Sequence, residues 1–276
     1  MAEPEARSLL LGCDFTSRPS RQKPIVLACG SLRQGRVVLS KIEKLETLAS
    51  FAAWLSQPGD WLGAFDLPFG LPRELVERLS WPTRWEDCIR YYVSLSREEI
   101  RCTFKSFCDG RPVGGKFAHR STDRVAASSP SMKWVNPPVA YMLHAGLPGL
   151  LASGATIAGL KAGDTRRVAL EGYPGLLARE ILGQRSYKAD EKSRQNHERL
   201  IARKDLLTAL ELGQTRLGLR LKLSHAQRDS LVDDGRGDLL DAVLCLVQAA
   251  WASEQGGPLY GLPKEMDPLE GWVVTA

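Results

Sequence analysis

Five acidic residues stand where apolar segments end or begin. Asp14 closes the run 8–15, Asp66 closes 61–65, and Glu171 closes 167–170. Asp238 and Asp241 open the segment DLLDAVLCLVQAAWA, and a spacing of three puts them on one face of a helix. An isolated carboxylate is costly to bury unless it is paired or bound to a metal. Acids at the ends of several apolar elements therefore predict one convergent acidic site at a sheet edge. Hard oxygen donors of this kind suit Mg²⁺ or Mn²⁺, which bind through a few carboxylates and keep some waters. Two such ions can activate a water and stabilise the leaving oxygen in phosphodiester cleavage.

Each acid also has a purely structural role open to it. Asp14 can start the turn toward Arg18-Pro19. Asp66, ahead of a segment with two prolines and a glycine, can form an Asx-turn. Glu171 can pair with a nearby arginine. Asp238 suits a helix N-cap, and Asp241 a first turn, where negative charge complements the helix dipole. A common location separates the two readings, because the structural roles do not require the acids to meet.

The elements that would position these acids can be read from period and punctuation. Runs 8–15, 24–29 and 36–40, with Gly30 and Gly35 between them, predict a three-stranded meander. Apolar residues at helical spacing predict a helix over 45–55. Segment 61–65 is a fourth strand, stopped by Pro68, Gly70 and Pro72, and 73–79 restarts as a short helix. Segment 81–163 carries no clean sheet pattern. It holds helices near 85–93 and 139–151 around a Gly-, Ser-, Pro- and Arg-rich stretch, 109–138, and is expected to be an insertion or cap. A fifth strand at 167–170 and helices at 175–182 and 191–212 follow. The helix 238–252 is apolar on nearly every face and is expected to be buried. The predicted architecture is α/β: a mixed five-stranded sheet flanked by helices, with 1–80 and 164–276 as core and 81–163 inserted.

This order of three strands, helix, strand, helix, strand and acid-bearing last helix resembles the ribonuclease H-like fold. The stretches GCDF (12–15), FDLPFGLP (65–72), EGYPG (171–175) and DLLDAV (238–243) resemble a family of predicted ribonuclease H-fold nucleases, the domain of unknown function 429. Asp238 to Ala242 is also similar to the last helix of RuvC-type Holliday-junction resolvases. The resemblance covers about 150 residues at the two ends of the chain. It implies a nuclease in which Asp14, Asp66, Glu171 and Asp241 are catalytic metal ligands with Asp238 close by. The chain departs from the resolvases in two places. They usually carry Glu where this chain has Asp66, and Glu171 has no counterpart among their ligands.

Composition fits a soluble globular protein. The chain has 276 residues, 43% apolar and 25% charged, with a net charge of +5, which excludes disordered, collagen-like and coiled-coil classes. No apolar run reaches the ~18 residues of a membrane span. Six scattered cysteines point to a reducing cytoplasm rather than a disulfide scaffold. Leu10-Leu11-Gly12-Cys13 has the form of a lipoprotein cleavage box. The apolar stretch before it is too short for a signal peptide, so a strand is expected there.

The charge is unevenly spread. Segment 101–136 carries Arg101, Lys105, Arg111, Lys116, Arg120, Arg124 and Lys133 against two Asp, a net of +5. Phe104, Phe107, Phe117 and Trp134 interleave with them. Such a segment can neutralise phosphates and stack on unpaired bases of DNA or RNA. Segment 184–228 carries +6, and within it Lys188 is a further electrostatic candidate near Glu171. For every one of these cations the alternative is a solvated surface. Gly110 to Lys116 mimics a phosphate loop, but Phe117 stands where Ser or Thr would bind Mg²⁺. The expected function is a divalent-metal-dependent nuclease. The alternative is a catalytically weak nucleic-acid-binding module on the same fold. An actin-like phosphotransferase would need two copies of the core.

Overall fold

A computed structural model describes residues 9–276. Ser8, the first residue of the expected first strand, and the segment before it lie outside the described residues. β1 (Leu9–Asp14), β2 (Ile25–Arg33) and β3 (Arg36–Leu45) form the expected meander. α1 (Leu48–Leu55), β4 (Trp61–Asp66) and α2 (Arg73–Arg78) follow. Then come α3 (Trp85–Ser94), α4 (Arg97–Asp109), α5 (Ser121–Val125) and α6 (Val139–Ala152). The chain continues through β5 (Ala155–Ile157), β6 (Asp164–Glu171) and α7 (Pro174–Leu182). It ends in α8 (His197–Leu212), β7 (Arg220–Lys222), α9 (His225–Asp233) and α10 (Asp238–Gln255).

The strands make one mixed sheet of seven, in the order β5-β6-β4-β1-β2-β3-β7. β2 runs antiparallel to β1 and to β3, while β1, β4 and β6 are parallel neighbours. The expected count of five is corrected to seven. β5 and β7 are three residues each, too short to show a period, and they extend the two edges.

Both faces of the central strands are covered, which is why they read as nearly unbroken apolar runs. Leu10, Val26, Leu62, Ala64, Val168 and Leu170 face a layer built from α7, α8, α9 and α10. Leu11, Cys13, Ile25, Leu27, Phe65 and Ala169 face the other way, onto α1, α2, α3, α4 and α6. The segment expected to be an insertion or cap thus supplies one of the two helical layers. Its Trp85, Tyr92, Phe104 and Leu147 share a core with the sheet.

One glycine decides how closely the last helix docks. A Cβ on Gly12 would lie 2.0 Å from the carbonyl oxygen of Ala242 and 2.1 Å from the amide nitrogen of Leu246. Only glycine lets α10 lie directly on β1. That contact brings the first turn of α10, with Asp241 next to Ala242, to the C-terminal end of β1. Among the described residues, no helix is long and apolar enough to cross a membrane.

Candidate functional site

Asp14 and Asp66 are register partners at the C-terminal ends of the parallel neighbours β1 and β4. Partners in register point to the same face, and neighbouring strands lie about 4.8 Å apart. That face is the one α10 covers. Asp14, Asp66, Asp238 and Asp241 line a single cleft of about 550 Å³, together with Lys23, Tyr173, Arg179, Arg185, Tyr187, Lys188 and Arg236.

The acids of this cleft are crowded and poorly compensated. Asp14 is only 9% exposed. Burial, then Asp241, Asp238 and Asp66, push its pKa well above the usual carboxylate range, with Lys188 opposing. Asp66 is half-buried; burial, then Asp241 and to a lesser extent Glu171, push it up to about 7 against the pull of Lys188. Asp238 is raised by burial, with Lys23 opposing and Asp234 adding to the rise. Among the described residues, no hydrogen bond or ion pair reaches the carboxylates of Asp14 and Asp66. Carboxylates that repel one another without a counter-cation are a site in want of positive charge.

Asp241 differs. It is 1% exposed, and both of its oxygens are taken. The Tyr187 hydroxyl donates to Oδ1 and the Lys188 ammonium to Oδ2. Burial works against the charge on Lys188, but Asp241, Tyr187 and Asp14 outweigh it and hold the ammonium protonated. The backbone of this pair is fastened from α8. Arg203 Nη1 donates to the Tyr187 carbonyl at 2.7 Å, and Arg199 Nε to the Lys188 carbonyl at 3.1 Å. Lys188, expected near Glu171, stands on Asp241 instead.

Glu171 also lines the cleft and adds to the rise at Asp66, but strand parity turns it to the other face of the sheet. Its register partner on β4 is Phe65, not Asp66. A shift of one residue turns a side chain to the opposite face. There Glu171 meets Arg120, which is 2% exposed. Arg120 Nη2 donates to Oε1 at 2.6 Å and Nη1 to Oε2 at 2.8 Å, a bidentate pair. The amide of Phe69 donates to the same Oε2 at 2.9 Å, and Arg120 Nη2 also binds Asp123 at 2.8 Å. Burial still raises the Glu171 pKa, with Arg120 and the Phe69 amide opposing. Two expectations are corrected here. Glu171 is committed to a buried ion pair rather than free to bind a metal, and Arg120 is spent inside the protein rather than offered to phosphate.

Arg120 lines the cleft, but the other basic residues of 101–136 do not. Arg101 and Lys105 are exposed on α4, where Arg101 pairs with Glu98 at 2.6 Å. Arg111 pairs with Glu74 and lies over the Phe107 ring, 5.0 Å from its centre. Lys116 and Arg124 are exposed and Lys133 is half-buried. Phe104 and Phe107 belong to the core, and Phe117 packs on Trp134 at 5.5 Å, so these aromatics do not form a stacking platform. The cleft draws its other cations from elsewhere: Lys23, Arg179, Arg185, Lys188 and Arg236. Tyr187 and Arg203 had no signal in the sequence, since an isolated tyrosine and a helical arginine read as surface.

The ligand set of five acids is not assembled. Among the described residues, no three His, Cys, Asp or Glu side chains stand close enough to share one ion. All five line the one cleft, but Arg120 occupies Glu171, and Lys188 with Tyr187 occupies Asp241. No protein-family model, curated protein or solved structure matches the chain.

Proposed function

We propose that this protein is a divalent-metal-dependent phosphodiesterase acting on nucleic acid, built on a ribonuclease H-like core. One observation carries the reading: Asp14 and Asp66 lie side by side on parallel strands, with no hydrogen bond or ion pair among the described residues, in a cleft that Lys23, Arg179, Arg185, Lys188 and Arg236 also line. The meander, β4, β6 and the acid-bearing α10 are the elements on which the ribonuclease H resemblance rests, and they support it. All six cysteines are free, which supports a reducing, cytoplasmic setting.

The donor set fits Mg²⁺ or Mn²⁺. It offers hard oxygens only, and two carboxylates leave positions for water and substrate, as Mg²⁺ sites commonly do. Asp14 and Asp66 would hold the ion. When bound, it would supply positive charge at the phosphoryl oxygens and a more acidic water. The chain's own groups do the rest. Arg179, Arg185 and Arg236 line the cleft, Arg185 in an exposed pair with Asp205 at 2.7 Å, and can neutralise the phosphates of the strand. Tyr187 fixes the orientation of Asp241. Asp238, one turn earlier on the same helix face, adds to the negative field that draws a cation in.

The test is cleavage of single-stranded, duplex and branched DNA and RNA with Mg²⁺ or Mn²⁺. Cleavage is expected with metal and is expected to vanish in chelator and in Asp14→Asn. Equal cleavage in chelator would overturn the reading. A second reading is favoured by the Lys188–Asp241 pair, which keeps a third carboxylate from a metal. On that reading the chain binds nucleic acid without turnover. Salt-sensitive binding with no cleavage under any metal would select it.

A further inference from the structure

The cleft already contains one cation, and that cation is covalently part of the chain. The Lys188 ammonium sits on Asp241 Oδ2 while Tyr187 fills Oδ1. The placement is built rather than incidental. Three donors fasten the backbone of Tyr187 and Lys188, and a fourth anchors Arg203. Arg203 Nη1 binds the Tyr187 carbonyl, and Arg203 Nε binds the Val232 carbonyl at 2.7 Å. Arg199 Nε and the Ser186 hydroxyl, at 3.0 Å, both bind the Lys188 carbonyl. Arg203 is 4% exposed, a buried cation whose hydrogen bonds go to backbone carbonyls. It holds the clamp in place.

In the same cleft the situation is reversed. Asp14 is nine-tenths buried, has no hydrogen-bond or ion-pair partner among the described residues, and lines the cleft beside Asp66. One half of the acidic site therefore has a cation in contact, and the other half feels Lys188 only at a distance. Two-metal phosphodiesterases place two ions about 3.5–4 Å apart on shared carboxylates. Here a carboxylate that would be shared is already filled.

We propose that Lys188 is a tethered substitute for a second metal, so that the chain takes one divalent ion, on Asp14 and Asp66. The ammonium supplies fixed charge without exchange with solvent, and Tyr187 and Arg203 are positioning residues for it. This inference rests on the metal-dependent reading above.

The experiment is a calorimetric titration of the full chain with MnCl₂ at neutral pH, with folding of each variant checked by circular dichroism. The wild type is expected to bind one Mn²⁺ per chain, and Lys188→Met two. Lys188→Arg, which keeps the charge, should stay at one, and Asp14→Asn should lose the wild-type site. Lys188→Gln repeats the neutral substitution with a polar side chain, in case Lys188→Met does not fold. Two Mn²⁺ in the wild type, or one in both neutral variants, would overturn the proposal while leaving the metal-dependent reading intact. No Mn²⁺ bound by the wild type would overturn both.

Discussion

Two groups of buried carboxylates sit at the same edge of one sheet, on opposite faces. On one face, Glu171 and Asp123 close around Arg120, with every strong partner supplied from within the protein. On the other, Asp14 and Asp66 stand together with none. The residues are of the same type and the strands are neighbours, so chemistry of the side chains does not distinguish them. One step of register does. Glu171 pairs with Phe65 and turns toward α5, while Asp66 pairs with Asp14 and turns toward α10. A saturated carboxylate is structure; an unsatisfied one is left with lone pairs that a cation can take.

The two groups should respond to perturbation with opposite sign. The largest effect belongs to the saturated one. Arg120→Met leaves Glu171 and Asp123 buried without their cation. Stability should fall by about 3–5 kcal/mol in urea unfolding, the usual result of removing one partner of a buried ion pair. A loss below about 1 kcal/mol would mean that Arg120 does not hold this face together.

Next in size is a pH effect on the unsatisfied group. Aspartate in an unfolded chain titrates near 3.9. Asp66 in the fold titrates at about 7. Between those values the folded state binds more protons than the unfolded one, so stability falls as pH rises from about 4 to about 7. The fall should be on the order of 2 kcal/mol, once solvent at the half-buried carboxylate is allowed for. It should shrink in Asp66→Asn, leaving the part that the raised Asp14 and Asp238 contribute, and be offset by Mg²⁺ at pH 8. Thermal melts across pH, with and without metal, measure both.

Asp14→Asn is expected to stabilise the metal-free protein by about 1 kcal/mol, because it removes a repelled charge from a buried place. The same variant should lose cleavage. Equal or lower stability would show that Asp14 has a partner in the fold. The smallest effect is expected outside both groups. Arg101→Ala on the exposed face of α4 should change stability by less than about 0.5 kcal/mol. It should also leave nucleic-acid affinity intact, whereas Arg236→Ala in the cleft should weaken it.

Much of the scaffold was legible in the residues. The meander, β4, β6 and α10 follow from apolar runs and Gly or Pro punctuation, and Asp14, Asp66 and Asp241 from their places at element ends. Register was not legible. Nothing in the order Leu170-Glu171 against Phe65-Asp66 reveals that the two acids face apart, because pairing between strands far apart in sequence is set by the sheet. Arg120 misled for a related reason. Its segment has the composition of a basic surface loop, yet tertiary packing draws that one arginine inside. α4 did carry a local signal, the capping box of Ser96 and Glu99, which its loop-rich surroundings masked. Lys188 was visible as a cation, but its partner was fixed by the contacts of α8 with the segment before it.

The central claim is that the Asp14–Asp66 face accepts a divalent cation and the Glu171 face does not. Anomalous diffraction from a crystal soaked in MnCl₂ tests it most directly. The account predicts a manganese peak between the Asp14 and Asp66 carboxylates and none at Glu171. A peak at Glu171, or no peak beside Asp14 at saturating Mn²⁺, would contradict it.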